Sequence, residues 1–206
     1  MKVCVVTGGI GSGKSAVCSI LSTRYGYPVY DADSRAKELY VLHPDLLDRI
    51  EESLGARFRD NDSRFVPSML ASRIFSDADA LAAVEALLFP ALVEDFEIWA
   101  SGHDSEIVIF ESATVLEKEC FSGFGDVTLV VDAPISVRLA RAAQRDGVSE
   151  ERILQRMSFQ PLMNRISEGE KSARADYVIV NDSSLDSLED KVQEFVETIK
   201  FKYNLI

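Results

Sequence analysis

Residues Gly8-Gly9-Ile10-Gly11-Ser12-Gly13-Lys14-Ser15 constrain this chain more than any other stretch. They follow the phosphate-loop pattern of Gly, four residues, Gly-Lys and then Ser or Thr. Val3-Cys4-Val5-Val6 precedes them, a continuous apolar run with β-branched residues, as a strand buried on both faces reads. Val17, Ile20 and Leu21 follow at helical spacing, and Gly26 is placed to end that helix. Strand, glycine loop and helix are therefore contiguous. The glycines let backbone N–H groups line a concavity at the positive end of the helix, where an anion of phosphate shape fits. Lys14 adds a point charge for the β- and γ-phosphates, and the Ser15 hydroxyl is the expected ligand of a magnesium ion bridging them. At background residue frequencies a chain this long meets the pattern about once in a hundred.

A length of 206 residues, 47% hydrophobic, suits one α/β domain with insertions. No apolar stretch reaches the length of a membrane span, and glycines end the first apolar run before any signal-peptide cleavage site, which points to a cytoplasmic protein. Cys4, Cys18 and Cys120 are odd in number and lack metal-ligand spacing, so they read as reduced thiols. A net charge of −12 argues against nucleic acid as a partner. Against that acidic background, the stretch from Arg138 to Arg174 holds eight basic residues and five acidic ones. Local positive charge of this kind suits a phosphorylated substrate, although a solvated helix face would look the same.

Four further apolar runs predict strands at 27–30, 106–111, 127–132 and 177–181. The third and fourth strands end in Glu111 and Asp132, as expected where parallel strands open into a ligand crevice. Helices are predicted over 34–42, about 136–145, from Ser149 as a capping residue, and along the stripe Leu188, Val192, Phe195, Val196 and Ile199. Between Asp45 and about His103 only helical spacing appears, broken by a turn at Arg59-Asp60-Asn61-Asp62-Ser63. Roughly sixty residues far exceed a simple crossover of about a dozen, so this excursion is the expected substrate-binding subdomain.

No guanine-reading Asn-Lys-x-Asp stretch occurs, and the chain is short for a mechanical ATPase. A small α/β domain with a late basic segment suggests a phosphotransferase of nucleoside-monophosphate-kinase type. Arg138, Arg141 and Arg145 fall on one helical face, and Arg152 and Arg156 repeat the spacing. Arginine suits a phosphate clamp because its planar fork pairs with phosphate oxygens and keeps its charge. Asp33, just beyond the second strand, is a candidate proton acceptor or water-orienting group near magnesium. An Asp there is equally a helix cap.

Taken end to end, these motifs resemble the dephospho-coenzyme A kinase family. The resemblance rests on Thr7 to Ser15, on Asp31-Ala32-Asp33 with Ala36, on Arg141, Arg145-Asp146, Arg156 and Gln160 at the spacing of the family's lid, and on Ala175 to Asn181. It implies a three-layer P-loop kinase fold: a five-stranded parallel sheet in a single domain, 1–206, with a helical coenzyme A-binding insertion at about 44–103 and a lid at about 138–174. It implies phosphorylation of the ribose 3′-hydroxyl of dephospho-coenzyme A by MgATP. Asp33, Lys14 and Arg141 would be catalytic. Gly8, Gly9, Gly11, Ser12, Gly13, Lys14, Ser15, Ala16, Arg145 and Asn181 would bind ATP, with Asn181 near the adenine and Ser15 on Mg2+. Departures fall at Phe89-Pro90, at Pro67 and at Ala113 to Glu117, outside the ATP motifs. Another kinase of this fold, or a nucleotide-binding module without turnover, stays open on residues alone, as does the oligomeric state. ATP and dephospho-coenzyme A are the expected partners, with no nucleic acid and no membrane.

Overall fold

The computed structural model describes residues 1–169 and 174–205, so Lys171 of the basic segment lies outside the described residues. Five strands, β1 (Lys2–Thr7), β2 (Val29–Asp31), β3 (Ile107–Glu111), β4 (Val127–Asp132) and β5 (Tyr177–Val180), form one sheet in the order β2-β3-β1-β4-β5. All pairings are parallel, with Val5 opposite Phe110 and Thr128. The strand leading into the glycine loop is therefore central, hydrogen-bonded on both sides. No helix among the described residues is long and apolar enough to cross a membrane.

Strands apolar on both faces need cover on both. On one face Cys4, Val6, Ile109 and Leu129 pack with Leu21 of α1 (Lys14–Tyr25) and Val192 of the carboxy-terminal helix, Leu185–Tyr203. On the other, Phe110 stacks on Tyr30 at 5.7 Å and meets Phe124 edge-on at 4.7 Å. Each such side chain taken fully from water contributes about 1.5–3 kcal/mol.

The contacts divide the chain into two compact units, 1–31 with 104–206, and 32–103. The second unit contains α2 (Ala32–Leu42), α3 (Pro44–Leu54), α4 (Pro67–Ser76) and α5 (Ala78–Ser101), so it includes the helix that carries Asp33 as well as the excursion read from sequence. Asp77 caps α5 by accepting from the Asp79 and Ala80 N–H groups, both at 3.0 Å. Val84, Leu88, Leu92, Phe96 and Ala100 then recur every four residues as its buried stripe, which continues past Pro90 without a break. Arg35 of α2 forks onto Asp95 of α5 at 2.7 and 2.9 Å.

In the first unit, α6 (Ile135–Asp146), α7 (Glu150–Met157) and α8 (Pro161–Ser167) follow β4, and the carboxy-terminal helix becomes α9. The sequence reading contains no α8, which is only seven residues long and starts at a proline. Ser149 sits at the cap position of α7, but its side chain makes no capping hydrogen bond.

Candidate active site

The loop Gly8–Gly13 joins β1 to α1 at the carboxyl edge of the sheet. Ala16 and Val17 donate back to the Gly13 carbonyl at 3.0 and 3.2 Å, closing the first turn of α1. Two of its glycines are dictated both by backbone angle and by space. Gly11 has φ +78 and its missing Cβ would collide with the Arg138 carbonyl; Gly13 has φ +96 and its Cβ would collide with Asn181 Nδ2. Ser12 is fully buried, and among the described residues neither its hydroxyl nor that of Thr7 has a hydrogen-bond partner.

Lys14 and Ser15 converge on one carboxylate. Lys14 Nζ and Ser15 Oγ each lie 3.0 Å from Glu111 Oε1, at the end of β3, where Glu111 is 8% exposed. Adjacent parallel strands produce this meeting: Val6 pairs with Glu111, and the loop starts two residues after Val6. Cys18, one turn along α1, is buried close to the same carboxylate, and desolvation pushes its thiol far above the ordinary cysteine value. It is an inert thiol.

The arginines on α6 share a helical face but not an environment. Arg138 is fully buried: Nε donates to the Ile10 carbonyl at 3.0 Å, Nη1 to Ser167 Oγ at 2.7 Å, and Nη2 reaches Asn164 Oδ1 at 3.4 Å. It belongs under the glycine loop and corrects the expectation of three equivalent clamp residues. Arg138 is held somewhat below the usual arginine value by burial, opposed by Asp132. Arg141 is half-buried and donates to the Asn181 carbonyl at 2.9 Å. Arg145 is exposed and pairs with Asp146, which also takes Arg156. Hydrogen bonds from Arg145 and then Arg156 hold the Asp146 carboxyl down at about 2.

Asn181, just past β5, is buried and donates from Nδ2 to the Ser12 carbonyl at 2.9 Å. Its side chain is therefore committed to the loop backbone. Asp33 lies in the first turn of α2, one residue inside the helix and in the other compact unit. Asp31, two residues before it, pairs with Glu111 across β2 and β3.

A family model described as dephospho-CoA kinase matches residues 2–187 of the chain. The chain belongs to the dephospho-CoA kinase family. A relative from Porphyromonas gingivalis named dephospho-CoA kinase is 36% identical over 197 residues, covering 96% of this chain and 94% of that one. A Thermus thermophilus protein of known structure superposes with a TM-score of 0.79 at 29% identity, over 96% of this chain and 97% of its own. Dephospho-CoA kinase from Campylobacter jejuni, 19% identical with a TM-score of 0.58 over 98% of each chain, shares the fold.

Three residues at this candidate site make contacts that no motif specifies, although Gln160 itself falls at the lid spacing of the resemblance. Glu111 is visible in sequence only as a carboxylate ending a strand. Gln160, 3% exposed, accepts from the Ile10 N–H and donates to the Ala113 carbonyl, both at 2.9 Å. Glu117 accepts from the Leu162 and Met163 N–H groups at 2.9 and 3.1 Å and so caps α8 from outside it. The last two act over more than forty residues of chain, which no local pattern encodes.

Proposed function

We infer that this chain is an ATP-dependent kinase that phosphorylates the ribose 3′-hydroxyl of dephospho-coenzyme A, yielding coenzyme A and ADP. The family match supports it, and the observation that carries it is the meeting of Lys14 and Ser15 at Glu111 beside the start of α1. In the proposed reaction the acceptor O–H gives its proton to Asp33. Its oxygen forms a bond to the γ-phosphorus while the bond from that phosphorus to the β–γ bridging oxygen breaks, and ADP leaves. Lys14 and Arg141 stabilise charge on the moving group, which is the main work a protein does in phosphoryl transfer. Gly8, Gly9, Gly11, Ser12, Gly13 and Ala16 would contribute the phosphate cradle, and Arg145 and Asn181 would border the nucleotide.

The residues fit magnesium. Ser15 Oγ and Glu111 Oε1 are oxygen donors 3.0 Å apart, and this ion takes one or two protein oxygens with waters and phosphates rather than a closed protein cage. Bound there, it would neutralise charge on the β- and γ-phosphate oxygens. The helical insertion at about 44–103 is the proposed holder of the coenzyme A portion, the stretch at about 138–174, of which 170–173 lie outside the described residues, the proposed lid, and the cytoplasm the proposed location. Incubation with MgATP and dephospho-coenzyme A tests the function: a product heavier by one phosphate is expected. ATP binding with no such product would overturn it.

A further inference from the structure

Gln160 stands between α7 and α8, directly before the proline that opens α8. A residue there ordinarily spends its side chain on the helix it precedes, and glutamine is not among the favoured caps. Glu117 performs that task instead, accepting from Leu162 and Met163. The Gln160 amide is thereby released, and both ends are used elsewhere. Oε1 accepts from Ile10 N–H and Nε2 donates to Ala113 O, each at 2.9 Å, in a residue 3% exposed. The two partners also set the amide's orientation, since an N–H requires the oxygen and a carbonyl requires the NH2.

These partners belong to the two halves of the phosphate site. Ile10 is the third residue of the glycine loop, and its carbonyl is held from the other side by Arg138 Nε at 3.0 Å. Ala113 lies two residues beyond Glu111, the carboxylate that Lys14 and Ser15 share. One buried amide thus spans from the loop that cradles phosphate to the chain leaving the strand that carries Glu111. We propose that Gln160 is a positioning residue for phosphoryl transfer: it keeps the glycine loop in register with Glu111, so that Lys14 and Ser15 meet the nucleotide in a preset arrangement. The inference rests on the kinase reading above. Misplacement of catalytic groups by about 1 Å costs on the order of a hundredfold in rate, so a tether of this kind acts on turnover more than on acceptor affinity.

Gln160→Met removes both hydrogen bonds at similar length, and Gln160→Glu keeps the acceptor for Ile10 while replacing the donor to Ala113. For each variant, kcat and KM for dephospho-coenzyme A are measured per folded molecule, with amide hydrogen exchange read at Ile10 and in β1 and β4. The expected result for Gln160→Met is a kcat lower by about thirtyfold or more, a KM for the acceptor within about threefold of wild type, and Ile10 exchange faster by at least about tenfold while β1 and β4 stay protected. Gln160→Glu should retain Ile10 protection and lose about tenfold or more in kcat, because the link to Ala113 is gone. A kcat within about threefold of wild type in Gln160→Met overturns the proposal. If that variant does not fold, the same turnover in Gln160→Glu overturns it. Loss of protection in β1 and β4 together with activity assigns the residue a structural role only and also counts against it. Wild-type protein assayed alongside separates the two claims. No transfer by wild type sinks the kinase reading, while Ile10 exchange, which needs no acceptor, still decides whether the tether exists.

Discussion

Arg138→Met separates an arginine that supports the loop from one that grips the nucleotide. The side chain is fully buried and reaches the Ile10 carbonyl, Ser167 Oγ and Asn164 Oδ1. Methionine fills much of the volume but returns none of these hydrogen bonds, and it leaves the negative Asp132 nearby without its counter-charge. Breaking a buried charged network from one side costs about 3–5 kcal/mol. For a chain of this size each kcal/mol moves the melting temperature by about 2–4 °C, so a fall of about 6–20 °C is expected. Arg138→Lys keeps the charge but lacks the fork needed to serve three partners, and should fall in between. Calorimetry of the three proteins with and without ATP reads both effects. A melting temperature within about 2 °C of wild type, accompanied by a large loss of turnover, would refute the buried role and return Arg138 to the clamp.

Lys14→Ala should lower kcat by two orders of magnitude or so if its charge acts, as proposed, on the moving phosphate, and should also cost some stability because it leaves the buried Glu111 carboxylate without its cation; near-normal turnover in steady-state kinetics would contradict it. Asp33→Asn should lower turnover by about a hundredfold at unchanged stability, whereas lost stability with retained turnover would mark the carboxylate as structural. Adenosine, which carries the 3′-hydroxyl but lacks the pantetheine arm, should be at least about a hundredfold poorer in kcat/KM than dephospho-coenzyme A, measured by ADP release. Because the Asp146 carboxyl is depressed in the folded state, its contribution to stability is fully present above the ordinary carboxylate range and is lost progressively as pH falls from there through about 2. Its NMR titration should therefore have a midpoint of about 2, below the ordinary aspartate value, and Arg145→Ala should raise that midpoint more than Arg156→Ala.

Five strands and the glycine loop are legible in sequence because each is a local pattern: an apolar run, a motif, a helical stripe. The boundaries shift by a residue or two, as at β2, which begins at Val29 and not at Tyr27. What local pattern does not encode is which side of a helix is covered. Arg138, Arg141 and Arg145 satisfy one spacing rule, yet the loop sits on Arg138, the Asn181 carbonyl meets Arg141, and Arg145 reaches Asp146. The same holds for Glu111 and Gln160, whose roles exist only once β3 lies beside β1 and α8 is brought to the loop. α8 itself escapes because a seven-residue helix has barely two turns in which to show a period, and its cap is Glu117, forty-four positions before its first residue.

The glycine loop is made early in synthesis but completed late. Its backbone is fastened by side chains at positions 138, 160 and 181, separated from their partners by 128, 150 and 169 residues. A nascent chain that has exposed the whole motif still lacks every one of these fastenings, and contacts so distant along the chain make for slow assembly. A chain stalled on the ribosome before Asn181 has emerged should carry the full phosphate-loop sequence, lack the Asn181 fastening and fail to retain ATP.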